Sequence, residues 1–223
     1  MSALRALPAI VPSTTDAAAV STADLLQHQD IWRAREGSQK PLPTQPTGWQ
    51  GLDAQLPGYG LPLGRLCEVL LPQPGMGEME LLLPLLAQRT RAGQTLVYVH
   101  PPCPPCVQAL AQAGVALDRV LWIAPASERD ALWAAEQILA SGIPGSLLLW
   151  SEQADERALR RLSLAAEGSR SLALVFRPLA QERAVSPAAL RMRIPRPLAR
   201  APLELLKARG LSCSSAQPLR VRA

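Results

Sequence analysis

The sequence predicts an α/β fold in which a mostly parallel central sheet is flanked by helices and ends in antiparallel edge strands. Short apolar runs alternate with amphipathic segments over residues 66–176, and this alternation is typical of repeated strand–helix–strand units. The run at 146–150 is apolar on successive positions, which indicates a strand buried on both faces. With 48% hydrophobic residues among 223, the chain can build one sizeable domain.

The first predicted strand, 66–71, lies between a Gly/Pro-rich turn and a Gly-containing loop at 72–77. The Leu-rich segment behind the loop, 78–91, is predicted to be helical. Pro84 removes an amide donor inside this helix and its ring collides with the preceding turn, so we expect a kink or a restart there.

The later elements follow from the same patterns. Further strands are predicted at 95–99, 120–123, 146–150 and 172–176, and further helices at 107–113, after Ser127, and at 155–167. Ser127 and Asp130 have the spacing of a helix cap, and Leu132, Ala135 and Leu139 share one face of the helix that follows. Short strands at 190–196, 203–207 and 219–222, divided by turns, predict the antiparallel edge.

Four segments are expected along the chain. Residues 1–20 are Ala, Ser, Thr and Pro without apolar periodicity and predict a flexible tail. Residues 21–46 combine a helix with a Pro-rich linker, residues 47–190 form the core, and residues 191–223 form basic edge strands and a tail. No run approaches the roughly 20 apolar residues that span a bilayer. A soluble cytoplasmic protein without membrane contact is the expectation.

The loop at 72–77 stands where a phosphate-binding P-loop, G-x-x-x-x-G-K-[ST], is expected. Gly75 and Gly77 remain, but Pro72 replaces the first Gly, Glu78 replaces the Lys and Met79 replaces the hydroxyl residue. Proline has no amide for a phosphate, a carboxylate repels phosphate, and a thioether does not hold Mg²⁺. The loop therefore predicts weak or absent nucleotide binding and no cofactor.

The strand at 146–150 should end in an aspartate that holds Mg²⁺, and it ends instead in Trp150 and Ser151. An indole offers no oxygen to a hard cation. This second loss predicts that the chain is not an enzyme. We expect Trp122, Trp133 and Trp150 to be packing residues of the core.

Positive charge is concentrated at the C-terminal end. After residue 190, eight basic residues oppose Glu204, giving +7, so the rest of the chain carries −2 of the net +5. The basic residues are Arg191, Arg193, Arg196, Arg200, Lys207, Arg209, Arg220 and Arg222. This asymmetry predicts an anionic partner, either nucleic acid or an acidic protein surface, and a solvated basic face is the alternative.

Two smaller features have open interpretations. Trp32 with Arg33 and Arg35, in the segment before the linker, is a candidate partner-binding site, or it packs on its own domain. Cys103 and Cys106 have the spacing of a redox pair. Small buried residues are the default for all four cysteines, and a zinc site lacks its second pair of ligands.

Several motifs have the order and spacing of the RecA recombinase core: Thr47-Gly48, Leu52-Asp53, the turn at 60–65, Glu68, Ala113-Gly114-Val115, Leu117-Asp118, and the strand ending at Trp150. Within that superfamily the chain resembles the ImuA family, which is grouped with the division inhibitor SulA. This likeness is carried by residues 31–35, 74–78, 128–133, 176–178 and 186–191.

The resemblance implies a RecA-like core and a non-catalytic role in DNA-damage-induced translesion synthesis. The implied partners are RecA, an ImuB-like homologue of Y-family polymerases and, indirectly, an error-prone C-family DNA polymerase, with a nucleoid-associated location and weak DNA contact through the basic end. It places the catalytic glutamate of RecA at Pro102, and the DNA-binding loops near 177–190, where this chain is shorter and lacks glycine. The alternative is a SulA-like inhibitor that binds FtsZ.

Overall fold

A computed structural model describes residues 42–208 and 217–221 of the chain. The tail at 1–20, the segment with Trp32, Arg33 and Arg35, and the basic residue Arg209 lie outside the described residues. None of the helices in the described part is long and apolar enough to cross a membrane.

The elements follow one another as strands and helices in alternation through most of the described chain. In order they are β1 (Thr44–Gln45), α1 (Gln50–Asp53), β2 (Leu61–Pro62), β3 (Arg65–Leu71), α2 (Glu78–Arg91), β4 (Leu96–Val99), α3 (Val107–Gln112), β5 (Val120–Ile123), α4 (Glu128–Ala140), β6 (Ser146–Trp150), α5 (Glu156–Ala166), β7 (Leu172–Pro178), β8 (Leu190–Arg193), β9 (Leu203–Ala208) and β10 (Gln217–Leu219). Short 3-10 helices occupy Pro57–Tyr59, Leu117–Arg119 and Leu179–Arg183.

Eight strands form one sheet in the order β10-β9-β8-β3-β7-β6-β4-β5, and β1 pairs with β2 in a separate ribbon. The pairs from β8 through β5 are all parallel, whereas β9 is antiparallel to both β8 and β10. The predicted α/β class, with a mostly parallel sheet, is therefore confirmed. One detail of the predicted edge is wrong: β8 belongs to the parallel part, because it pairs in parallel with β3.

The sheet is buried on both faces by two apolar clusters. Along β6, Leu148 and Trp150 belong to the cluster beneath α2, whereas Leu147 and Leu149 belong to the cluster beneath α4 and α5. This alternation explains why the strand is apolar at successive positions. The predicted cap of α4 is present, since the Ser127 side chain accepts a hydrogen bond from the Asp130 amide.

Helix α2 continues through Pro84, so the expected restart is not observed. Pro84 lies on the exposed side of the helix, where the loss of one backbone amide donor is tolerated more easily than in the buried face. The turn before α1 packs against it: a Cβ atom at Gly48 would lie 2.8 Å from Pro84 Cβ. Asp53 holds this turn in place, because its carboxylate accepts from the Thr47 amide at 2.8 Å and from the Thr47 hydroxyl at 2.7 Å.

The core prediction holds for one of the three tryptophans and fails for two. Trp150 is 8% exposed, but Trp122 is 51% exposed and Trp133 is 61% exposed. Strand β5 is the last strand of the sheet and pairs only with β4, which leaves the side chain of Trp122 uncovered. Trp133 lies on α4 away from the buried stripe of Ala131, Ala135 and Leu139.

Arg89 of α2 crosses the amino ends of the parallel strands. Its guanidinium donates to Ser146 Oγ at 3.0 Å, to the Arg170 carbonyl at 3.1 Å and to Gln45 Oε1 at 3.1 Å. Burial, with a smaller contribution from the nearby charge of Arg170, lowers the pKa of this group to about 10. The guanidinium donates to carbonyls at the strand ends and has no acidic partner among residues 42–208 and 217–221.

A buried acid joins the three neighbouring parallel strands β7, β3 and β8. Glu68 of β3 is completely buried, and its two carboxylate oxygens bind Arg177 Nη1 of β7 at 2.6 Å and Arg191 Nε of β8 at 2.7 Å. Arg177 also donates to the Ala154 carbonyl at 2.6 Å. Arg191, which sequence analysis assigns to the basic surface, is therefore buried in the sheet.

We predict that Glu68→Ala destabilises the fold by about 3–5 kcal/mol, because it leaves two buried guanidiniums without their shared acid. Chemical denaturation of the full chain measures this. Glu167→Ala, which removes the partner of Arg65 at the surface of the same strand, serves as the control and should cost below about 1 kcal/mol. Equal losses in the two variants would contradict the assigned role of Glu68.

Candidate functional site

The candidate site lies at the carboxyl ends of the parallel strands, where α/β sheets generally bind their ligands. The loop 72–77 leaves β3 there and leads into α2. Beside it is a cavity of about 340 Å³ lined in part by Pro72, Pro74, His100, Pro102, Trp150 and Arg177. Its lining brings together residues of the loop, the end of β6 and Pro102, the position at which the resemblance places a catalytic glutamate.

The Glu78 side chain contacts the backbone of the loop 72–77. Its side chain is buried, and Oε1 accepts a hydrogen bond from the Gly75 amide at 2.8 Å. A carboxylate of the protein thus takes an amide of the kind that a phosphate oxygen would take, and it places negative charge at the N-terminus of α2. The second oxygen, Oε2, is buried without a hydrogen-bond partner among the described residues.

Leu198, from the connection between β8 and β9, covers the loop from outside. Its amide donates to the Met76 carbonyl at 2.9 Å. A Cβ atom at Gly77 would lie 3.0 Å from Leu198 Cβ, and Gly77 itself has a φ of 98°. An aliphatic side chain therefore packs where the loop turns into the helix. Sequence reasoning missed this contact, because no local pattern links Leu198 to a loop so distant in the chain.

The end of β6 is an aromatic stack and a capped turn. The Trp150 ring stacks with Phe176 at a centroid distance of 4.5 Å and with Tyr98 at 6.0 Å. Ser151 donates to the carboxylate of Glu128, which also accepts from the Gln153 amide at 2.6 Å. The acid nearest this strand end is thus used to hold the turn that leads into α5.

The described residues contain no group of three or more His, Cys, Asp or Glu side chains that could hold a metal ion. Pro102, where the family resemblance places a catalytic glutamate, lines the cavity and has no ionisable group. His100 has a φ of 51°, and its Nδ1 lies 3.4 Å from the Trp150 carbonyl oxygen. Its ring is therefore oriented toward the strand end.

The resemblance places DNA-binding loops near 177–190, and basic side chains attach the part of this segment between β7 and β8 to the sheet. Arg191 donates to the carbonyls of Gln181 at 2.7 Å and Glu182 at 2.6 Å, and Lys207 Nζ donates to the Ser186 carbonyl at 2.9 Å. Arg193 binds the carboxylates of Glu182 and Glu204, which raises its pKa. These three basic residues therefore have partners within the chain.

The predicted basic surface is divided by the structure. Arg191 is buried and Arg193 is half-buried in ion pairs, whereas Arg196 and Arg200 are exposed. Neither Arg196 nor Arg200 forms an ion pair within residues 42–208 and 217–221. Of the predicted partner-binding residues that the structure describes, these two are the most available.

The cysteines differ from the expectation that all are buried. Cys67 of β3 is buried, and burial raises the pKa of its thiol to about 12. Cys103 and Cys106 are exposed free thiols in the turn before α3, so the expectation is wrong for this pair. Cys213 lies outside the described residues.

No family model matches the chain. Among solved structures, the crystal structure of SulA from Pseudomonas aeruginosa is similar over 50% of this chain and 96% of that one, with 24% sequence identity and a TM-score of 0.43. A likeness of this size does not establish a shared family or function.

We predict that restoring the P-loop side chains does not restore nucleotide binding. In Glu78→Lys/Met79→Thr the lysine and hydroxyl return, but Pro72 still lacks an amide and Leu198 still packs against Gly77. Titration with a fluorescent ATP analogue and Mg²⁺ should show no saturation at micromolar concentration in the parent or the variant. Saturable binding by the parent chain would contradict the interpretation of the loop.

We also predict unequal reactivity of the thiols. In a Cys213→Ser background at pH 8, Cys103 and Cys106 should react with a thiol reagent in the folded protein. Cys67 should react only after denaturation, because its raised pKa keeps it protonated and burial keeps the reagent out. Mass spectrometry of the modified protein locates the labels. Rapid labelling of Cys67 in the native state would show that β3 is not buried as described.

Proposed function

We propose that this chain is a non-catalytic accessory protein of the SOS response to DNA damage, acting in translesion synthesis as a scaffold between RecA and an ImuB-type polymerase homologue. The observation that carries the proposal is the filling of the phosphate cradle by Glu78 and Leu198. A fold that has the setting of a nucleotide site, but fills that setting with its own side chains, is suited to docking rather than to hydrolysis.

The finer assignment, a RecA-like core related to the ImuA family, rests on the sequence motifs. Their placement is consistent with it: Glu68 lies on β3, which leads into the degenerate loop, and Trp150 ends β6, which is separated from β3 by β7 and lines the same cavity. The same assignment supplies the proposed partners, including the indirect link to an error-prone C-family polymerase and a nucleoid-associated location.

The proposed docking surfaces are those that the fold leaves without internal partners. Arg196 and Arg200 supply exposed positive charge, and Trp122 and Trp133 supply large exposed apolar side chains. Tryptophan and arginine are the residue types that most often dominate binding energy at protein interfaces. A weak contact of the basic end with DNA and a contact through Trp32, Arg33 and Arg35 remain part of the proposal.

The test is co-purification of the tagged full-length chain with each candidate partner. We expect capture of RecA and of the ImuB-like homologue, and we expect ATP to leave the yield unchanged because the chain has no usable nucleotide site. FtsZ, the target expected of a SulA-like inhibitor, serves as the comparison. Capture of FtsZ without RecA and the polymerase homologue would overturn the proposal in favour of the inhibitor.

A further inference from the structure

A second cavity, of about 420 Å³, lies on the α2 side of the sheet, beyond the loop described above. We call it the β8–β9 groove, because residues of the connection between these strands form much of its wall. Trp49, Leu198, Pro202 and Val221 give it an apolar lining, and Arg200 and Arg220 stand at its rim. Leu198 also packs against Gly77 of the loop 72–77, whereas Trp49, Pro202 and Val221 lie outside that loop.

The floor of the groove is rigid and only half covered. Trp49, Leu198 and Val221 pack against the core cluster under α2 while remaining partly exposed. The indole N–H of Trp49 donates to the Leu81 carbonyl at 3.0 Å, so the ring has a fixed orientation. A concave apolar surface of this kind is suited to one or two bulky side chains of a ligand.

The two arginines at the rim stand on backbone positions that the fold holds in place. The Arg200 amide donates to the Pro197 carbonyl at 2.7 Å, which closes the turn that Leu198 attaches to the loop. Gln55 binds the backbone of Arg220 on both sides, through its carbonyl at 3.1 Å and its amide at 3.4 Å. The positions of both rim residues are therefore set before any ligand arrives.

The charge of the rim is not balanced within the described chain. Arg177, Arg191 and Arg193 all bind glutamates, but neither Arg200 nor Arg220 has an ion-pair partner in residues 42–208 and 217–221. The acidic residue of the described lining is Glu80, so two guanidiniums oppose one carboxylate. The groove thus favours an anionic ligand.

We propose that the β8–β9 groove binds an acidic peptide segment of a partner protein, with a bulky apolar side chain on the floor and flanking carboxylates on Arg200 and Arg220. A nucleic-acid backbone is the weaker fit, because it has phosphates but no aliphatic side chain to cover Leu198, Pro202 and Val221. The inference rests on the proposed function only in taking the partner to be a protein.

The test uses the full-length chain as bait for a displayed library of random 12-residue peptides. Enriched peptides should combine Asp or Glu with Leu, Ile, Phe or Trp. As synthetic labelled peptides they should bind about tenfold or more weakly to Arg200→Glu/Arg220→Glu, and likewise to Ala201→Trp, which fills the groove without changing charge. Arg129→Glu/Arg157→Glu is the control. It has the same net charge, reverses two exposed arginines of α4 and α5, and should bind like the parent.

Three outcomes would overturn the inference: enrichment of peptides without acidic residues, equal loss of binding in the control variant, or tighter binding of a 12-nucleotide single strand that displaces the peptides. Ala201→Trp keeps the test decisive if the charge-reversed variant does not fold. The outcomes distinguish this inference from the proposed function. If Arg200→Glu/Arg220→Glu captures RecA and the polymerase homologue as well as the parent does, the groove proposal fails and the scaffold proposal stands. If peptides bind in the groove but the parent captures neither partner, the groove proposal stands and the scaffold proposal fails.

Discussion

The interaction on which the sheet most depends is the buried carboxylate of Glu68 between Arg177 and Arg191. An acid and two bases in a dry interior are stable only when every charge has a partner, so the three strands that supply them must keep one register. The two arginines also bind segments next to the sheet. Arg177 fixes the turn at Ala154, and Arg191 fixes the 3-10 segment after β7. Buried arginines thereby hold the segments that follow β6 and β7.

The loop after β3 is also held by contacts within the protein. In a nucleotide-binding protein the loop amides donate to phosphate, whereas here the Gly75 amide donates to Glu78 and Leu198 packs against Gly77. A loop whose amide already has a hydrogen-bond partner in the protein needs no ligand to satisfy that amide. A ligand would have to break this hydrogen bond before it could form its own, which lowers the free energy gained on binding. At the end of β6, Glu128 is used in the same way to hold a turn. Glu78 and Glu128 therefore form contacts within the protein at this edge of the sheet.

Sequence reasoning located the strands, the helices and the loop at 72–77 because these depend on local patterns. The alternation of apolar residues at 146–150 and the cap at Ser127 are decided by near neighbours in the chain. The burial of Arg191 was not predicted, because the local sequence does not show that its partner, Glu68, lies on the neighbouring strand. The exposure of Trp122 was missed for a related reason: apolar patterning does not say which strand is last in the sheet. Trp133 is exposed because it lies outside the buried stripe of α4. The packing of Leu198 on Gly77 is likewise a consequence of topology.

The position of β5 has a consequence for how this protein behaves in concentrated solution. Its four residues, Val120–Ile123, contain no charge and no proline, and Leu121 and Trp122 leave more than half of their surfaces in water. Natural sheets usually protect such a border with lysine, a bulge or a covering segment, because open main-chain groups beside apolar side chains recruit other strands. Among residues 42–208 and 217–221 no strand pairs with the outer side of β5, so this border is where a further strand could join the sheet.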